Sequence, residues 1–272
     1  MAKYKKKRAR ELQHDRFRDT ANTLLDQLGE RLEGKGKAIL YGIIGVVLLG
    51  VLVGVWVKWS SRKADEARRA LGRGIEIAST PLSTSAPSAT DPKAPKFSSE
   101  QERAQKAIEE FQKVAAKYGD PYRTEARYFI ATNLLHVDRD RGLRELTELT
   151  RSNLPEVATL SKFALAQEKE ADRKYDEAAQ LYTELAAQNS AVVTPETANL
   201  RLAGVYEKEG KKKEAADLLF NIVDAARKAK DKDGAPLPQS AAATAAAEKL
   251  QKIDPDRYAM LTPAFPSGEL PF

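Results

Sequence analysis

Residues 38–57 read AILYGIIGVVLLGVLVGVWV, twenty in a row with neither a charge nor a proline. At about 1.5 Å per residue such a run reaches about 30 Å, the thickness of a bilayer's hydrocarbon core. Lys35 and Lys37 close one end and Lys58 the other. Tyr41, Trp56 and Trp59 stand near the two ends, where amphipathic rings prefer the headgroup level. One transmembrane helix is expected, since the core of a soluble protein rarely needs so long an apolar stretch. A cleaved signal peptide would need a short basic start, an apolar run of about 7–15 residues and a small-residue cleavage site. Here the run follows 37 residues and leads into KWSSRKADEARR, which has no A-x-A-like site, so an uncleaved signal anchor is expected.

Charge sets the expected orientation. The arm before the span holds eleven Lys/Arg, four of them within twenty residues of it, and the twenty residues after the span hold six. Long domains translocate largely regardless of charge, so the short arm weighs more and its end is expected in the cytoplasm. Within the span Gly50 and Gly54 form a G-x-x-x-G pair, the candidate helix-packing positions. Ala38 and Gly42 are also four apart but face more than about 100° away at 100° per residue, so the two pairs do not form one stripe.

The N-terminal arm, residues 1–37, opens with the basic cluster MAKYKKKRAR, which beside a membrane can bind anionic lipid headgroups. Leu12, Phe17, Ala21, Leu24, Leu25, Leu28 and Leu32 follow at spacings of mostly three and four, the pattern of an amphipathic helix that Gly34 and Gly36 end. After the span a charged helix is expected over 58–78, then a Pro/Ser/Thr-rich loop over 79–98, then helices with short breaks. Val, Ile and Thr form no alternating runs, so no sheet is expected.

Self-similarity orders the rest. Ile130-Ala131, Leu165-Ala166 and Leu202-Ala203 each pair an apolar residue with alanine. Twelve residues after the alanines stand Leu143, Ala178 and Ala215, and four later Thr147, Tyr182 and Leu219. Ala107, Phe111 and Val114 match a second helix without a nearby first one. The second-helix landmarks at 107, 143, 178 and 215 are 36, 35 and 37 residues apart. The pattern resembles the tetratricopeptide repeat, most clearly in LAQEKEADRKYDEAAQLYTEL, with Leu165-Ala166, Tyr175, Ala178 and Tyr182. The next unit carries Leu202-Ala203, Tyr206, Gly210 and Ala215, with Lys212 where the repeat has an aromatic residue. If Leu71-Gly72 opens the first unit, about 23 residues are inserted before Ala107, and these include the Pro/Ser/Thr loop. The expected fold is all-α: a single transmembrane helix plus a tetratricopeptide-like α-solenoid over 99–258. A cap helix over 239–253 closes it, and a flexible tail over 259–272 follows.

The whole order resembles the bacterial ancillary SecYEG translocon subunit family: a basic arm with HDRFRD, one signal anchor, a helix, a Pro-rich break and degenerate tetratricopeptide repeats. The resemblance implies an inner-membrane anchor, periplasmic repeats and protein partners among translocon subunits, periplasmic chaperones or exported clients. Tetratricopeptide units usually present their first helices to a groove. Counted from the Leu-Ala landmark, its lining positions here are Tyr128, Thr132, Leu160, Phe163, Gln167, Leu200 and Gly204. That stripe is mostly apolar and suits an extended or incompletely folded segment. Some tetratricopeptide proteins clamp chaperone tails with Lys and Asn at these positions; Tyr128 and Thr132 stand there instead, so no such clamp is expected.

The remaining composition narrows the chemistry. There is no cysteine, and His14 and His136 are the two histidines, so thiolate chemistry is excluded and most histidine-based catalysis lacks its side chains. GKGK at 34–37 lacks the strand and Ser/Thr of a phosphate loop. Asp231-Lys-Asp-Gly starts like a calcium loop, but Ala242 stands where the closing Glu belongs, so a charged turn is expected. No enzyme, metal or cofactor is expected, and no nucleic-acid partner, because the +6 net charge comes largely from the arm rather than a folded face. The leading expectation is a membrane-tethered protein-interaction scaffold. A scaffold for division or envelope assembly shares every feature used. A structural spacer or enzyme regulator is the alternative of another class, and a spacer would want a polar groove.

Overall fold

A computed structural model describes residue 58 and residues 61–82 and 97–262. The expected arm, the 38–57 span with Gly50 and Gly54, most of the 79–98 loop and residues 263–272 lie outside the described residues. Among the described residues no helix is long and apolar enough to cross a membrane. The chain divides into two compact units, 1–64 and 65–272, and the second is the subject from here on.

Residues 65–79 are helical (α1). Then follow α2 (Glu100–Lys117), α3 (Tyr122–Leu134), α4 (Arg139–Leu149), α5 (Pro155–Ala171), α6 (Tyr175–Ala187), α7 (Pro195–Lys208), α8 (Lys212–Lys228), α9 (Ala241–Ile253) and the short α10 (Pro255–Ala259). Their starts are written locally. Ser99, Asp138, Thr194, Ser240 and Asp254 each accept a hydrogen bond from the backbone N–H three residues on. Such caps satisfy donors that a helix end leaves without partners. Pro155, Pro195 and Pro255 occupy the first helical position, where a missing N–H costs nothing. The turn 230–236 holds one isolated antiparallel bridge, Lys230 to Pro236, the sole β pairing among the described residues. The Asp231 carboxylate accepts from the backbone N–H groups of Asp233 (2.9 Å) and Ala235 (2.8 Å), and Gly234 supplies a φ of +84°. The segment is a turn held by its own aspartate.

Each helix packs on the next, in the order α1/α2, α3/α4, α5/α6, α7/α8, with α9 as cap. The first pair is antiparallel. The Arg103 guanidinium of α2 reaches the Thr80 carbonyl after α1 (3.0 Å), and Lys117 at the other end pairs with Glu66 (3.3 Å). Four apolar clusters follow one another along the stack. Leu181, Tyr206 and Leu218 each touch two successive clusters and join them. This is the nearest-neighbour construction of a repeat solenoid, all-α and tetratricopeptide-like.

Small residues set the pair spacing. Ala131, Ala166 and Ala203 on the first helices and Ala107, Ala178 and Ala215 on the second are all wholly buried. The structure corrects the expected register of the 124–150 unit. The close approach falls at Gly142, not Leu143: a Cβ there would meet the Ala131 carbonyl oxygen and the Leu135 nitrogen, each at 2.9 Å. Leu146 fills the buried position four residues later, while Thr147 is exposed and returns its hydroxyl to the Leu143 carbonyl (2.7 Å). The physical reason is a turn one residue shorter, eleven positions from Ala131 to Gly142 against twelve from Ala166 to Ala178. The first unit shifts likewise. Gly72 is exposed with open space around it, and the contact is made by Gly74, whose Cβ would lie 2.5 Å from the Phe111 ring. The expected tail also begins later than 259. Leu261 is buried among Ala243, Ala246 and Leu250, and Arg227 hydrogen-bonds the Thr262 carbonyl.

Two equivalent turns end the first helices of the third and fourth pairs in left-handed backbone. Gly210 does so at φ +79° and Arg173 at φ +60°. In both, the next residue's N–H reaches back five positions, Lys211 to Tyr206 and Lys174 to Lys169, each at 2.8 Å. Only glycine adopts that backbone without steric cost. Arg173→Gly is therefore expected to raise unfolding stability by about 0.5–1 kcal/mol, and Gly210→Ala to lower it by about 1 kcal/mol, in denaturant titrations of the full chain. Gly142→Ala is expected to destabilise by about 1–2 kcal/mol despite alanine's better helix propensity, because backbone atoms, not a flexible side chain, must move.

Candidate functional site

The first helices of three successive pairs share one hollow of about 350 Å³. α1 contributes Leu71 and Ile75. The start of α3 contributes Pro121, Glu125, Tyr128 and Phe129, and the start of α5 contributes Leu154, Glu156, Val157 and Leu160. Leu71 and Ile75, Glu125 with Tyr128 and Phe129, and Val157 and Leu160 are three or four apart, which places each set on one face of its helix. The volume sits at the small end of the roughly 300–1,000 Å³ typical of ligand pockets.

The floor is anchored in the core by aromatic contacts. Phe129 stacks on the wholly buried Phe111, with ring centroids 4.9 Å apart and 13° between planes. Tyr128 meets Phe129 edge-on at 5.5 Å. Such pairs hold ring positions firmly. Burial pushes the Tyr128 phenol above its ordinary pKa, and its hydroxyl makes no hydrogen bond among the described residues. Val157 and Leu71 are buried, whereas Ile75 is 43% exposed, so the hollow opens to solvent along α1.

Of the residues expected to line a groove, Tyr128 and Leu160 are brought together here. The others lie elsewhere. Phe163 sits edge-on to Tyr182 at 5.9 Å and packs against the α5–α7 cluster. Leu200 packs against the α7–α9 cluster, and the Thr132 hydroxyl donates to the Phe129 carbonyl within its own helix (3.0 Å). Gln167 is half-buried without a side-chain hydrogen bond, and Gly204 has open space beside it. Counting from one repeat landmark missed Leu71, Ile75, Pro121, Glu125, Phe129, Leu154, Glu156 and Val157. The apolar i, i+4 pair Leu71/Ile75 on a charged helix and the Leu154-Pro155 helix start were the signals for two of the three walls.

The hollow differs electrostatically from its surroundings. Elsewhere ion pairs tie helix to helix. Arg127 pairs with Glu145 (3.0 Å), Arg139 with Glu168 (2.7 Å) and Asp172 (2.9 Å), Lys162 with Glu184 (2.8 Å), Lys208 with Glu170 (2.6 Å) and Lys249 with Glu207 (2.6 Å). The hydrogen bond from Lys162 holds the Glu184 carboxyl below its ordinary pKa. Each such exposed pair contributes only about 0–1 kcal/mol. Glu125 and Glu156, in contrast, have no ion-pair partner among the described residues, and the lining contains no cation. His136 stands 3.7 Å from Glu100, away from the hollow. No cluster of three or more His, Asp or Glu suited to a metal occurs among the described residues.

No family model matches the chain, and no curated protein matches it. Among solved structures the chain is similar to the nearly identical TPR-like repeats of a Podosopora anserina kinesin light chain, at 17% identity and a TM-score of 0.42. A single-substitution variant of that protein gives 17% identity and 0.43. Both similarities cover 71% of this chain and 84% of the other. The repeat assignment rests on the packing described above.

A ring packed in the core and a side chain at the open edge of the hollow are expected to differ in what they contribute to stability. Phe163→Ala is expected to cost about 2–4 kcal/mol, because the ring packs on the wholly buried Tyr182. Ile75→Ala is expected to stay within about 0.5 kcal/mol. Denaturant titration of the full chain measures both.

Proposed function

We propose that the chain is a membrane-tethered protein-interaction scaffold, working near the secretion translocon of a bacterial inner membrane on exported proteins or their chaperones. The observation that carries the interaction half of this reading is the open hollow shared by α1, α3 and α5, walled mostly by apolar side chains and fixed to the core by the Phe111–Phe129–Tyr128 contacts. Apolar surface held open on a rigid repeat is costly in water and is kept where something covers it. The tether half is supported by the uncharged run 38–57, and the placement by the order of arm, anchor, break and repeats in the sequence. In this reading the basic arm lies on the cytoplasmic side against anionic headgroups and the repeats are periplasmic. The role is non-catalytic, in keeping with the missing cysteines and the scarcity of histidine.

Crosslinking of the full chain in intact membranes, followed by mass spectrometry, tests the placement. Translocon subunits or periplasmic chaperones are expected among the adducts, and their absence overturns it. Orientation is checked by protease added to sealed vesicles. Cleavage within 79–98 is expected from the periplasmic face, and cleavage from the cytoplasmic face reverses the topology.

A further inference from the structure

The hollow discriminates by charge as well as by shape. Eight of its ten lining residues are apolar or aromatic, so a polar group at its centre would lose water with at most the Tyr128 hydroxyl as a partner. The remaining two, Glu125 on α3 and Glu156 on α5, are the only charged residues in the lining and have the same sign. Glu145, Glu168, Glu184 and Glu170 are each engaged by Lys or Arg of a neighbouring helix, whereas these two have no ion-pair partner among the described residues. Two unpaired acids on apolar walls repel an anionic ligand and attract a cation next to buried apolar groups.

We propose that the hollow receives a short apolar protein segment with a lysine or arginine beside its apolar residues. The apolar side chains sit against Ile75, Tyr128 and Leu160, and the cation is shared by Glu125 and Glu156. This assignment rests on the interaction-scaffold reading and names the partner class for it. The chain's own residues 263–272, PAFPSGELPF, are apolar enough but have Glu269 as their one charged side chain, the wrong sign for this rim.

The test uses the full chain in zwitterionic lipid nanodiscs, with empty nanodiscs subtracted. Three fluorescein-labelled peptides serve as probes: Lys-Leu-Ile-Leu-Phe-Lys, its Glu-flanked counterpart and a Lys-flanked peptide with a serine centre. Fluorescence anisotropy is expected to show the Lys-flanked apolar peptide binding about fivefold tighter than the Glu-flanked one, the worth of two exposed ion pairs, and the serine-centred peptide binding least. The preference is expected to shrink as salt is raised. The double variant Glu125→Gln, Glu156→Gln is expected to bind both apolar peptides alike, and Ile75→Ser to weaken both, with helix content by circular dichroism unchanged. Equal affinity of the wild type for the two apolar peptides overturns the proposal, as does a preference that survives the double variant. A photo-reactive residue at position 75 that captures a second copy of the chain also overturns it, in favour of self-association. If the charge preference is absent while translocon subunits are still captured in membranes, only the hollow's assignment falls. If the preference stands and those subunits are missing, only the translocon placement falls.

Discussion

Everything in the helical unit depends on how closely the two helices of a pair can approach. The distance is set by residues with little or no side chain at the crossing: Ala131 against Gly142, then Ala166 with Ala178 and Ala203 with Ala215, all wholly buried apart from the glycine, which is buried as well. Close crossing leaves a wedge between successive pairs, and larger side chains fill it. Phe111, Leu146, Tyr182 and Leu219 are each wholly buried four residues after the small one. Interiors at near-crystalline packing density leave no slack for a methyl group at the crossing. The pair geometry thus decides where the next pair sits, and in turn whether the first helices of three pairs leave a space between them.

Ion pairs serve a different end. Most of them run between helices across the surface, some across the boundary between pairs, and others lie within one helix. Glu170, for example, accepts both the Tyr182 hydroxyl (3.0 Å) and Lys208 (2.6 Å). Burial, and after it the Glu170 carboxylate, pushes the Tyr182 phenol well above its ordinary pKa. Contacts of this kind fix register and orientation more than they add stability.

Much of this architecture was legible in the sequence because its signals are local. The Leu-Ala landmarks and the recurring alanines fall within a few residues of the helices they define. The register of the second unit was not legible, because Gly142 and Leu143 are adjacent and both look suitable until the turn length is known. A turn one residue shorter moves the contact from one to the other. The hollow was half legible for a related reason. Tyr128 and Leu160 lie on helices whose repeat landmarks are clear. The α1 wall depends on a pairing across residues 80–99, and the Leu71/Ile75 pair marks an apolar face of α1 without encoding that this face meets α3.

The succession of separate apolar clusters has a mechanical meaning. The three clusters from α3 to α9 share side chains through Leu181, Tyr206 and Leu218, the first cluster around Phe111 shares none with the next, and no side chain reaches past its neighbouring cluster. A load placed on one end is therefore passed along the stack pair by pair, and it fades as it goes. The end that holds the hollow is thus only weakly tied to the end closed by α9 and Leu261. Such a rod is rigid over one repeat and compliant over several, so a binding surface at one end can adapt to its occupant without disturbing the cap at the other.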